Sequence, residues 1–162
     1  MTAMFAGTAA AVGYLLLFIP NVEGFTFVLY ISGYSLGIFS GLTAAIAASI
    51  IYFGINPQGF YPPLLLAQTL GACLAPMAGS ILRTRSFNSK QIVIVSAASA
   101  LLVTLIYDVL TNIAYPLSAG FDLKAVLTML AAGLAFSVLH ILSNILLFSI
   151  LTIPALKIVK HF

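Results

Sequence analysis

The sequence predicts an all-α integral membrane protein, a bundle of six transmembrane helices with both termini in the cytoplasm, and three observations lead there. Composition comes first: of 162 residues, 62% are hydrophobic and only 6% charged, with a mean hydropathy of +1.20. A soluble domain carries roughly a quarter charged residues, and so apolar a surface would aggregate in water. Continuity comes second. In hydrocarbon every backbone N–H and C=O needs an internal partner, which leaves helices or a closed barrel. Barrel strands alternate in polarity over about ten residues, whereas these apolar runs are longer and unbroken. Third is the placement of charge: Arg83, Arg85 and Lys90 share one loop, and Lys157 and Lys160 share the C-terminal tail. Cytoplasmic segments concentrate Lys and Arg, and two spans separate these clusters, so both fit on one side. Lys124 then falls outside, as do Glu23, Asp108 and Asp122, at or near the outer surface.

The first span is expected over 4–19, ended by Pro20 and the polar turn Asn21-Val22-Glu23-Gly24. Residues 25–55 are too long for one span, because a helix of that length measures roughly 46 Å against a hydrocarbon core of about 30 Å. A break near Ser40-Gly41 divides them into spans 25–40 and 42–55, with Gly33, Gly37 and Gly41 allowing close contact and a tight reversal. One long tilted helix, and so five spans in all, is the alternative. After the turn-rich stretch Asn56–Pro63 come a span over 64–82, kinked at Pro76, and one over 91–111. A loop containing Pro116 and Gly120 leads to the last span, 123–153, closed by Pro154 and the basic tail. Residues 1–162 form a single transmembrane domain in a multi-pass protein of the cell (cytoplasmic) membrane. No secretory leader is expected, since the N-terminus has no basic stretch and no cleavage site ahead of a polar chain.

The residues argue against chemistry of the enzymatic kind. With three carboxylates and two histidines there is no paired-Glu motif, no His/Glu metal set, no P-loop and no acidic cluster for a magnesium-bound diphosphate. No catalytic residue, metal or cofactor is expected. Cys73 is alone and reads as helix packing. No basic patch is interleaved with aromatics, so nucleic acid is not a partner.

Polarity is nevertheless asymmetric across the bilayer. Glu23, Gln58, Tyr61, Gln68, Asp108, Asn112 and Tyr115 all fall on the outer side, from four separate segments. Polar groups at membrane depth face the bundle interior or a wet cavity, so these are the candidates for a substrate pocket open to the outside, walled by Phe25 and Phe60. Asn21, Asn56 and Asp122 read equally well as turn formers. Asp108 and Asn112 share a helical face, and Lys124 begins the next span beyond a long loop. Asp108 is therefore expected to find amides, water or a ligand as its partner. His140 and Asn144, with Ser137 one turn earlier, read as interhelical hydrogen bonding. In the first span Ala6 and Ala10, and likewise Ala3, Gly7 and Ala11, stand four apart, a spacing that lets another helix approach closely. That helix is either one of the protein's own or a partner's.

Taken in order, the small-residue first span Ala6-Gly7-Thr8-Ala9-Ala10-Ala11, the Gly-spaced second span, the Pro62–Gly71 segment with its Gln68, Tyr107–Asn112 and His140–Asn144 resemble the substrate-binding S components of energy-coupling factor (ECF) vitamin transporters. The resemblance covers nearly the whole chain. It implies a six-helix bundle that captures a vitamin or related precursor from outside. It also implies docking, through Ala3, Ala6, Gly7, Ala10 or Ala11, on a transmembrane coupling protein joined to two ATPases, which would supply the missing P-loop. A similar look belongs to the six-span scaffold subunit of the bacterial cell-shape and elongation machinery, which transports nothing and is the alternative.

Overall fold

A computed structural model describes residues 1–55 and 60–159. These form six helices and, among the described residues, no strand: α1 (Thr2–Leu16), α2 (Phe25–Leu36), α3 (Ile38–Gly54), α4 (Pro62–Thr84), α5 (Ser89–Ser118) and α6 (Leu123–Val159). The last three are long and apolar enough to cross a membrane; α1 to α3 are shorter apolar helices. Burial is inverted relative to a water-soluble protein. Ala9, Ala44, Ala45, Ala48, Ala75 and Ala100 are fully buried, while Leu15, Phe18, Phe39 and Leu134 are 63–89% exposed. Many small residues inside, beside a few buried rings such as Phe25, Tyr30 and Phe148, with large apolar ones outside, is the pattern of helices packed in lipid, where close backbone approach holds the bundle together. Membrane association follows from it.

Contacts fix the direction of each helix. The end of α1 meets the end of α3, with the Tyr14 hydroxyl donating to the Ile51 and Tyr52 carbonyls at 3.1 Å. Arg83, near the end of α4, donates to the carbonyl of Ser35 near the end of α2, at 2.9 Å. Tyr30 of α2 hydrogen-bonds Ser96 of α5 at 3.1 Å, and Thr104 and Asp108 of α5 meet Asn144 and His140 of α6. The helices therefore alternate in direction. The α1–α2 connector, the end of α3 and the start of α4 lie at one end. The start of α1, the α2–α3 reversal, the α4–α5 connector and the end of α6 lie at the other.

That reversal falls at Gly37 rather than near Ser40-Gly41. Gly37 has φ +82°, which L side chains rarely adopt, so the chain turns on one residue between α2 and α3. Gly41 is then free to sit inside α3, where an added Cβ would lie 2.8 Å from Pro76 Cβ. Three other boundaries also shift. α1 stops at Leu16, before a run of tight turns in which Ile19 N–H donates to the Leu16 carbonyl and Asn21 takes φ +59°. α5 runs on through Pro116 to Ser118. It closes in a Schellman turn: Gly120 at φ +74°, Phe121 N–H on the Pro116 carbonyl (2.9 Å) and Gly120 N–H on that of Leu117 (3.2 Å). α6 continues through Pro154 to Val159. A proline removes one backbone donor and kinks a helix without having to end it. Side chains start α5 and α6: Asn88 and Gln91 exchange reciprocal 3.0 Å bonds, and Asp122 Oδ1 accepts from Ala125 N–H at 2.8 Å.

Candidate functional site

At the end of the bundle away from Gly37, the connector 17–24 folds over a cavity of about 410 Å³. That volume lies toward the lower end of the ~300–1,000 Å³ typical of small-molecule sites. Every element except α2 contributes to the wall: Gly13 and Leu16 from α1, Tyr52 and Phe53 from α3, Gln68 from α4, Tyr107 and Asp108 from α5, Phe136 and His140 from α6. Glu23, in the connector just before α2, closes the ring.

Three ionisable groups from different elements meet there. His140 Nδ1 lies 2.8 Å from Asp108 Oδ1, and His140 Nε2 lies 3.3 Å from Glu23 Oε1. Both ring nitrogens thus face carboxylate oxygens, and only the imidazolium can donate to both. Thr26 donates its hydroxyl to the same Glu23 oxygen, fixing the carboxylate against the first turn of α2. Burial by itself would raise the Glu23 carboxyl above its ordinary 4.5. The polar contact and charge of His140, with the hydrogen bond from Thr26, outweigh that and hold it lower.

One turn deeper, Asn144 Nδ2 donates to Thr104 Oγ1 at 2.9 Å. Four residues back on α5 and four forward on α6 lead from the Asp108–His140 pair to this one, the register of antiparallel helices. Two acceptors remain without a hydrogen-bond partner among the described residues, Asp108 Oδ2 and Asn144 Oδ1, although both residues are buried. Buried acceptors are costly to leave unpaired, so among the described residues this cluster carries more acceptors than its donors satisfy.

Of the residues singled out from sequence, Glu23, Gln68 and Asp108 line this cavity. Asn112 lines an adjoining space of about 260 Å³, which shares Asn21, Asp108 and Phe136 with the first. Tyr61 and Tyr115 line neither. Their rings pack at 5.7 Å, the Tyr61 hydroxyl is 2.6 Å from Ser118 Oγ, and Tyr115 also meets Phe121. Gln58, with Asn56, lies outside the described residues. Phe25 is fully buried behind the wall, stacked on Tyr52 at 5.1 Å, and Phe60 is exposed. The partner of Asp108 is His140, in place of the amides, water or ligand anticipated for it. The signal was present in the sequence: His140 precedes Asn144 by four, as Thr104 precedes Asp108, and an α5–α6 hairpin brings the two pairs into register. The cavity-lining aromatics Tyr52, Phe53, Tyr107 and Phe136 carry no such signal, because apolar positions in a span look alike whichever way they face.

The two small-residue stripes of α1 part company. Ala6 and Ala10 are 3% exposed, packed in the protein's own core. Ala3, Gly7 and Ala11 are exposed, and a Cβ added at Gly7 would meet nothing within 4 Å.

No known protein family, characterised protein or solved structure matches the chain.

Proposed function

We propose that the chain is a six-span protein of the cell membrane that captures a small molecule from outside. In this reading it serves as the substrate-binding subunit of an ECF-type importer, handing its cargo to a coupling protein driven by two ATPases. The observation that carries the reading is the cavity at the Glu23 end, where Glu23, Asp108, His140 and Gln68 converge from four elements on a space of about 410 Å³. A scaffold subunit has no use for buried charges around a hollow, since breaking or burying ion pairs in a bundle costs stability.

Charge placement supports the orientation. Arg83, Arg85, Lys90 and Lys157 lie at the end opposite the cavity, and Glu23 and Asp122 lie toward the cavity end. By the positive-inside rule the cavity opens outward and both termini are cytoplasmic. The exposed stripe Ala3, Gly7, Ala11 is the surface offered to the coupling protein, with Ala6 and Ala10 holding α1 to its own bundle.

Mass spectrometry of the purified protein tests capture directly: a stoichiometric small molecule is expected, and its absence from material that also binds no compound of a metabolite panel would defeat the reading. Orientation has a separate test. In a Cys73→Ala background, a cysteine introduced at Ser86 should resist an impermeant reagent applied to intact cells and react once the cells are opened.

A further inference from the structure

We infer that the captured molecule is a small organic cation. Its N–H-bearing positive group docks against Asp108 and Glu23, and its apolar body lies among Tyr52, Phe53, Tyr107 and Phe136. The inference rests on the capture reading above and narrows the class of its substrate.

Charge balance comes first. Two carboxylates face one imidazolium, so the cluster keeps one net negative charge. Among the described residues no lysine or arginine lines the cavity: Arg83, Arg85, Lys90 and Lys157 are at the opposite end, and Lys124 is exposed at the start of α6. An unbalanced charge next to hydrocarbon costs several kcal/mol unless hydrated or paired.

Hydrogen-bond balance points the same way. Asp108 is 8% exposed, lines the cavity and has one carboxylate oxygen, Oδ2, without a partner among the described residues. His140 cannot supply the missing donor, because both its nitrogens are engaged. Glu23 already accepts from Thr26 and is paired with His140. What the site lacks is a donor with positive charge, which a protonated amine or an amidinium supplies and an anion does not.

The walls set the rest of the molecule. Beyond the charged cluster they combine the rings of Tyr52, Phe53, Tyr107 and Phe136 and the aliphatic side chains of the connector with two amides, Asn21 and Gln68. The faces of aromatic rings also favour a nearby cation.

Three probes of matched size separate the charge classes: phenethylamine, phenethyl alcohol and 3-phenylpropanoate, titrated at neutral pH into the purified protein with calorimetric readout. The amine is expected to bind at least ~10-fold more tightly than the alcohol, the effect of about 1.4 kcal/mol, and the carboxylate more weakly still. Asp108→Asn should remove most of the amine's advantage over the alcohol. Glu23→Gln should do the same in part, and serves alone if Asp108→Asn does not fold. Equal affinities, a preference for the carboxylate, or no binding of the amine would overturn the inference. A neutral or anionic molecule co-purifying in the cavity would overturn the cationic class while leaving capture intact. If Gln68→Trp, which fills the cavity, left binding of the amine unchanged, the capture reading at this cavity would fall and this inference with it.

Discussion

At the Gly37 end of the bundle, helices touch backbone to backbone; at the Glu23 end, they stand around a hollow held by charge. The contrast begins in residue type. A Cβ on Gly79 would lie 1.9 Å from the Tyr30 carbonyl oxygen, and one on Gly33 would lie 2.0 Å from that of Pro76. With those side chains absent, α2 and α4 meet at van der Waals distance, and dispersion over the contact holds them. At the other end the same helices give way to Glu23, Thr26 and Gln68, and to the rings of Tyr52, Phe53 and Tyr107, which cannot pack so closely around charged groups. One end is built for stability. The other accepts a stability cost, which the proposed ligand would offset.

The largest expected effect is at the tight end. Gly79→Leu or Gly33→Leu would drive a side chain into backbone that has nowhere to go. A loss of about 3 kcal/mol or more follows, at or beyond the usual range for overpacking, read as a collapse of the thermal midpoint in detergent. A modest drop at both glycines would mean that α2 and α4 are less tightly locked, and would blur the contrast between the ends.

Next comes the charged end. Asp108→Ala leaves the His140 imidazolium with one partner and should cost about 3 kcal/mol, the low end for breaking a buried pair, because the cavity admits water. Asp108→Leu, His140→Leu and Glu23→Gln together remove every charge of the cluster and should recover most of the loss while abolishing ligand binding. If the triple variant were as unstable as Asp108→Ala, the cluster would be holding the fold together, and the division of labour between the ends would be wrong.

Both glycine contacts and charged cluster were partly legible in the sequence, to different depths. Gly33, Gly37 and Gly41 announce close packing by their spacing, but which of them turns the chain depends on where Pro76 lies, and that is a tertiary fact. Asp108, Glu23 and Gln68 stand out because charge and amide are rare in this chain. His140 stood out as well, yet its partner depends on the α5–α6 register. The extension of α5 through Pro116 was hidden, since proline there looks like a loop until the Schellman turn beyond it is seen.

The first helix gives a smaller effect with a sharper question. Ala10→Trp should destabilise the isolated protein by about 1–3 kcal/mol, because Ala10 is buried in its own core. Gly7→Trp, in open space, should leave the fold within about 0.5 kcal/mol of the starting protein and abolish co-purification with a coupling subunit. Normal complex formation by Gly7→Trp, Ala3→Trp and Ala11→Trp would remove this face of α1 from the docking surface.

The smallest effect concerns the tyrosines beyond the cavity. Tyr61 and Tyr115 belong to the same end of the bundle as Glu23, but their rings face each other and Phe121, and the Tyr61 hydroxyl is taken up by Ser118. Ser118 in turn donates to the carbonyls of Ala114 and Tyr115, so the cluster ties the segment before α4 to the last turn of α5. Tyr61→Phe removes one partly exposed hydrogen bond and keeps the ring contact. A neutral hydrogen bond of this kind contributes about 0.5–1.5 kcal/mol, toward the lower figure when water can replace it. The thermal midpoint should therefore fall slightly and ligand affinity should stay within about twofold, a change near 0.4 kcal/mol. A tenfold loss of affinity with the midpoint unchanged would show that these tyrosines reach the ligand. The charged end would then extend past the cavity to the tip of α5, with the ring of Tyr61 as part of its wall.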